Sequence, residues 1–341
     1  MQAIMLEGYR KIGIHERPDP LPDGHRVIVK ISKCGICGSE YHAWYDMGEQ
    51  MKGRSIGHEF AGYVADPGSR NDLKAGDKVA VCPTVGCGSC EECRSGRGNL
   101  CVNDSIGDGA FSQCKACEPE KVIKLPDDAD LVEAAMLEPL ATSVRAVRLA
   151  NVFNGASVLV IGYGIIGSTC VSLAKNAGAL QIAVAQTPIS RGRLLERSEC
   201  VEIYDAARED ILDALRTATN HRGFDIVFEC AGSGTALNLA VNAVKKGGTV
   251  MLVGANPAAG AIITRDIVIR EIRILSSYAY TMDDFVTGLR LVQAGRINIR
   301  QYATRFVTLQ QVPQTFDDLV AKKIDDVKVI VDIDGSHLQP L

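Results

Sequence analysis

The residues able to do chemistry in this 341-residue chain fall in three places. The densest is GCGSCEECRSGRGNLC, where Cys87, Cys90, Cys93 and Cys101 have the spacing C-x2-C-x2-C-x7-C. Four thiolates this close suit a tetrahedral zinc and leave no coordination position open. Such a site staples a loop. The second place is scattered. CGICGSEYH carries Cys37, Ser39, Glu40 and His42, IGHEF carries His58 and Glu59, and MLEPLA carries Glu138. One thiolate, one imidazole and one or two carboxylates make a catalytic zinc shell, with the last position left for water or substrate. Glu40 also reads as a group behind the shell. Spacing alone does not join these pieces. The third is VLVIGYGIIG, a GxGxxG formed by Gly162, Gly164 and Gly167, with Ile165 and Ile166 inside it. An apolar strand runs straight into it and a helical pattern leaves it, which is the context of a dinucleotide loop. Gly162 permits the tight turn, Gly164 lets backbone approach a pyrophosphate, and Gly167 lets helix pack on strand.

A dinucleotide fold carries an acidic residue at the end of its second strand, bonding the adenosine ribose. Here AVAQTPISRGR puts Gln186 at that position. No carboxylate stands there to repel a 2′-phosphate, and Thr187, Ser190, Arg191 and Arg193 follow closely. These residues, Gln186 and Arg191 foremost, tip the reading from NAD toward NADP, with a solvated helix start as the alternative for the arginines.

The elements that must position these groups are legible in outline. IMLEG, KIGIHE and RVIVKISK, then KVAV and weakly FSQCKAC, read as strands in a β-rich first part. LVEAAMLEPLATSVRAVRLA has helical spacing broken at Pro139, which predicts two helices, the second starting at the proline. From residue 156 strands and helices alternate: SVLVIG, IGSTCVSLAKNAGA, QIAVAQ, a basic helix from Ser190, FDIVFECAG, a helix around ALNLAVNAVKKGG, and TVMLVGA. That alternation predicts a parallel sheet of βαβ units. The tail adds helix DDFVTGLRLVQAG, strand TRFVTL, helix VPQTFDDLVAKK and strand VKVIVDI.

Composition narrows the function. Hydrophobic residues make up 46% and charged residues 23%, with a net charge of −4. A basic face for nucleic acid is not indicated. The longest apolar stretch, residues 158–174, is short for a membrane span and contains three glycines. MQAIMLEGYRK lacks the apolar core of a signal peptide. Twelve cysteines in such a chain point to metal ligands in a reducing cytoplasm. Cys34, Cys82, Cys170, Cys200 and Cys230 read as packing residues. Strand alternation points Cys114 and Cys117 to opposite faces, against a redox pair.

In order, CGICGSEYH, GHE, G-D-K-V, the cysteine quartet, LEPLA and GYGIIG resemble the zinc-containing medium-chain dehydrogenases, and within them the sorbitol and threonine dehydrogenase branch. The resemblance covers essentially the whole chain. It implies an α/β protein: a GroES-like, β-rich catalytic domain (1–145 and 281–341) interrupted by a Rossmann domain with a doubly wound parallel sheet (146–280). It implies one catalytic zinc on Cys37, His58 and Glu59, with Glu138 joining the shell or holding its water, and one structural zinc per chain. Ser39 would contact the substrate hydroxyl, with His42 downstream in a proton relay. Homodimers or homotetramers are implied, and RILSSYAY could pair between subunits. Three positions depart from the pattern: Glu40 stands for the usual Asp, KGRSIGHE lacks the usual proline, and Gln186 replaces the acid.

The expected activity is hydride transfer between a secondary alcohol and NAD(P), on a polyol, sugar acid, cyclitol or amino alcohol. Zinc would act as a Lewis acid on the hydroxyl. Ser39 would take the proton and pass it through the cofactor ribose to His42. Trp44 and Tyr45 read equally as pocket lining or packing, and Lys52 and Arg54 as a solvated loop or an acid-binding pair. A non-catalytic zinc protein sensing a dinucleotide is the alternative. Joint retention of Cys37, Ser39, His58 and Glu59 favours the enzyme.

Overall fold

The computed structural model describes residues 1–46, 49–84, 86–103, 109–187, 201–255 and 261–337. They divide into two compact units. The first comprises Met1–Pro139, Thr281–Val292 and Asn298–Leu341, and the second Leu140–Tyr280 and Gln293–Ile297.

In the first unit, β1 (Gln2–Gly8) and β2 (Lys11–Glu16) form an antiparallel hairpin. β3 (Val27–Gly35), buried at all but one position, leads into α1 (Gly38–Asp46) and returns as β4 (Glu59–Asp66). β5 (Lys78–Val81), the single turn α2 (Glu91–Arg94), β6 (Cys114–Cys117) and β7 (Val122–Lys124) follow. Two helices come next, α3 (Leu131–Ala135), capped by the Asp130 side chain, and α4 (Leu137–Ala150). The second helix begins two residues before the expected proline. Pro139 still lies in the first turn, where a missing N–H breaks no helical bond.

In the second unit, β8 (Ser157–Ile161), α5 (Ile165–Asn176), β9 (Gln181–Gln186) and β10 (Val201–Asp205) open the sheet. α6 (Ile211–Ala218), β11 (Phe224–Glu229), α7 (Gly234–Ala243), β12 (Val244–Leu252), α8 (Thr264–Ile269) and β13 (Arg273–Ser276) complete it. Among the described residues six strands lie in the order β10-β9-β8-β11-β12-β13, all parallel. This is the doubly wound order whose switch point lies beside the first strand. β8 is buried at four of five positions, as a parallel strand covered on both faces must be. The expected helix ALNLAVNAVKKGG stops at Ala243, and VKKGG belongs to β12. Gly247 and Gly248 cannot sustain a helix, and Val244 pairs with Phe224. β10 carries polar Glu202 and Asp205 at the sheet edge and lacks the apolar run that marks its neighbours.

The tail, α9 (Met282–Gln293), β14 (Ala303–Thr308), α10 (Val312–Val320) and β15 (Lys328–Asp332), returns to the first unit. There β14-β15-β3-β4-β5-β7 form one sheet, with β6 on β3. Its core gathers Val29, Ile31, Phe60, Val79, Phe111, Phe316 and Val331. Trp44 is buried among them, edge-on to Phe316 at 5.9 Å.

A buried cation fastens the tail. Lys33 Nζ on β3 donates to Asp332 Oδ1 (2.6 Å), Asp334 Oδ1 (2.7 Å) and Ser336 Oγ (2.8 Å). Burial opposes the charge on Asp334, yet Lys33, Ser32 and Ser336 outweigh it and hold its pKa well below the ordinary value. That contribution is complete above the unfolded aspartate pKa and is lost as pH falls through the folded one. Lys33→Met is expected to cost about 3–5 kcal/mol, since it strands buried carboxylates. Urea unfolding read on Trp44, the only tryptophan, checks this.

Candidate functional site

Cys37, Ser39 and Glu40 sit where β3 turns into α1, and His58 and Glu59 where the chain enters β4. The β3–β4 register sets Gly35 opposite Glu59, which carries the two sequence pieces to one end of the sheet. One ligand atom each from Cys37, His58 and Glu59 lies within 4.8 Å of the others. Glu138, in the first turn of α4, is not in that compact set. Ser39 Oγ donates to Cys37 Sγ at 3.3 Å. The backbone of His42 is in α1, but its side chain lies outside the description, as does Arg191.

Glu40 stands behind this set. Its Oε2 accepts from Cys37 N (2.9 Å), and its Oε1 lies 2.9 Å from His58 Nδ1. A carboxylate this close to Nδ1 would orient the ring and favour Nε2 as the coordinating nitrogen. The longer Glu therefore spans both groups where the family pattern has Asp. Burial opposes a positive His58, yet Glu40 and Cys37 outweigh it and raise its pKa well above the ordinary value. The cluster's field thus favours a cation.

The sequence reading missed Lys328. It lies on β15, is 2% exposed, forms an ion pair with the fully buried Glu59, and donates to Ile36 O at 2.8 Å. β3 runs between the two strands, and a Cβ on Gly35 would come within 2.0 Å of Glu59 Oε2. Glycine is required there because the pair fills that space. Burial opposes the Lys328 charge, but Glu59 and Cys37 outweigh it and raise its pKa. The other Glu59 oxygen, Oε1, is buried with no hydrogen-bond partner among the described residues. A cysteine sulfur, an imidazole and a buried carboxylate form a donor set that zinc fits. One signal was available in the sequence: the strand KVIVD opens on a lysine yet is buried at every position, Lys328 included.

The sulfurs of Cys87, Cys90, Cys93 and Cys101 also lie within 4.8 Å of one another. The α2 turn brings Cys90 and Cys93 together, and backbone N–H groups of Cys87 and Asn103 donate to Cys101 Sγ, both at 3.3 Å. Hydrogen bonds from Ser89 and Asn103 lower the Cys87 pKa to about 5. Four converging sulfurs fit a closed zinc site. Lys52 and Arg54 are exposed, and Trp44 is core.

In the second unit, Gly162 has φ +92° and packs so close to the next loop that a Cβ would meet Ala231 N at 2.9 Å. Gly164 is the N-cap of α5. The first-turn amides, Ile165, Ile166 and Gly167, therefore form a helix N-terminus suited to a pyrophosphate. A Cβ on Gly167 would lie 1.9 Å from Gly162 O. Gly167→Ala is expected to cost about 1–3 kcal/mol or more by overpacking and to displace the loop, weakening dinucleotide binding in a direct titration. The Gln186 side chain, 5% exposed, turns inward: Oε1 accepts from Tyr163 N at 2.5 Å and Nε2 donates to Thr187 O at 2.7 Å.

Comparison with known proteins agrees with the fold. Residues 23–127 match the alcohol dehydrogenase GroES-like domain and residues 166–294 the zinc-binding dehydrogenase family. The zinc-type alcohol dehydrogenase-like protein YdjJ of Escherichia coli is 32% identical over 97% of both chains. Sorbitol dehydrogenase of Bacillus subtilis is 31% identical, again over 97% of each. A zinc-binding dehydrogenase from Sinorhizobium meliloti, solved bound to NADP, superposes with a TM-score of 0.90 at 30% identity, covering 97% of this chain and 98% of the other. Among the described residues no helix is long and apolar enough to cross a membrane. This chain belongs to the zinc-dependent medium-chain alcohol dehydrogenase family, as an oxidoreductase built from a GroES-like domain and a Rossmann domain.

Proposed function

We propose that this enzyme oxidises a secondary hydroxyl of a polyol or related small polar substrate, passing hydride to a nicotinamide dinucleotide. The convergence of Cys37, His58 and Glu59, with Ser39 beside them, carries the reading. Similarity to sorbitol dehydrogenase supports the polyol class. Zinc bound to Cys37, His58 and Glu59 supplies the Lewis acidity that lowers a hydroxyl pKa. Ser39 takes the hydroxyl proton, with His42 further along its path to solvent. Glu40 orients His58. Lys328 holds Glu59 and offsets its charge. Glu138 serves from outside the compact set. The cysteine quartet holds a second, structural zinc. The loop at Gly162–Gly164–Gly167 takes the pyrophosphate. A sensor without catalysis would have no need to keep this whole set.

A reducing cytoplasm suits the enzyme, because five metal-site cysteines must stay reduced. We infer a homo-oligomer, dimer or tetramer, formed along the edge strand β13, where Leu275 is exposed, as is Tyr278 just beyond the strand. The test of function is a panel of polyols, sugar acids, cyclitols and amino alcohols offered with NAD or NADP. Polyol-dependent formation of reduced nicotinamide supports the reading. Silence across the panel with both zincs bound excludes it.

A further inference from the structure

The residue at the ribose-selecting position is occupied elsewhere. Both ends of the Gln186 amide are bonded, one to the glycine loop at Tyr163 N and one to Thr187 O, and the side chain is 5% exposed. It braces the glycine loop through Tyr163 N. The neighbouring strand supplies the charge instead. In the parallel pairing of β10 on β9, Asp205 stands opposite Gln186. Its Oδ1 accepts from Thr187 Oγ1 at 2.8 Å and from Ala207 N at 2.9 Å. Those bonds lower its pKa, and an aspartate is charged at neutral pH even without them. A carboxylate is therefore fixed at the carboxyl end of the sheet, one strand over from the usual selector.

We propose that Asp205 is the cofactor-selecting residue of this enzyme and that it disfavours the 2′-phosphate of NADP, while Gln186 is a positioning residue for the glycine loop. The proposal rests on the dinucleotide reading above and reverses the NADP preference drawn from the sequence. The negative charge acts across a few ångströms near the protein surface. At that range one like charge amounts to about tenfold in relative affinity.

Direct binding of ADP-ribose and 2′-phospho-ADP-ribose to the zinc-loaded protein tests it without catalysis. Wild type is expected to favour ADP-ribose. Asp205→Asn, which keeps an oxygen for Thr187 and Ala207, is expected to shift the ratio about tenfold toward the phosphorylated ligand. Gln186→Ala is expected to weaken both ligands with little change in ratio. The proposal is overturned if Asp205→Asn moves the ratio by less than about threefold, on the same charge argument, or if Gln186→Ala is the variant that moves it. Binding with an unmoved ratio sinks this inference alone. Failure of wild type to bind either ligand removes the dinucleotide reading beneath it as well.

Discussion

Cys37→Ser is expected to lower turnover by about 10³-fold or more, the several kcal/mol that a Lewis-acid metal contributes to such a transition state. Zinc content should fall from two per chain to one, because the quartet at Cys87, Cys90, Cys93 and Cys101 is untouched. Dinucleotide binding should persist, because the glycine loop belongs to the other compact unit. The three readouts together separate loss of the metal from loss of the fold. Serine is close in size to cysteine but binds zinc poorly, and the backbone bond from Cys37 N to Glu40 survives the exchange. Wild-type turnover in this variant would remove Cys37 from the site.

Lys328→Met is the second. It removes the only charged partner of Glu59 among the described ion pairs and leaves a fully buried carboxylate beside Cys37. Breaking a buried pair from one side costs about 3–5 kcal/mol, because the remaining charge keeps its desolvation penalty. Urea unfolding followed on Trp44 reads this directly, since that residue lies in the same unit's core. A double variant, Lys328→Met with Glu59→Gln, should recover much of the loss, and the coupling between the two is the diagnostic quantity. Excess zinc should also narrow the gap, because Glu59 relieved of Lys328 binds the cation more tightly and the variant therefore gains more stability from it than wild type does. A variant as stable as wild type would show that the ion pair carries little of the fold.

What could be read from the sequence followed sequence distance. The cysteine quartet spans 87–101, and the glycine loop lies within one strand–turn–helix, so both were visible in local spacing. Cys37, His58 and Glu59 were legible as residue types, but their meeting depends on the β3–β4 register, which spacing does not state. Lys328 reaches the site only because β15 returns antiparallel to β3 from the far end of the chain. Family resemblance implied Cys37, His58 and Glu59 as ligands and gave no hint of that cation. Gln186 was correctly placed at the end of its strand, yet the direction of a side chain is a packing outcome. The Tyr163 amide that Gln186 serves lies 23 residues earlier. Trp44, read equally as pocket or packing, is fixed as core by Phe316, which arrives with the tail.

The central claim is that polyol oxidation depends on zinc at Cys37, His58 and Glu59. The most direct measurement is stepwise zinc removal with a chelator, following metal content and polyol-dependent formation of reduced nicotinamide on the same samples. The expected course is that the zinc at this three-residue set leaves first and takes the activity with it. The quartet should keep its zinc, and added zinc should restore turnover. Undiminished polyol oxidation after that zinc has gone would contradict the account.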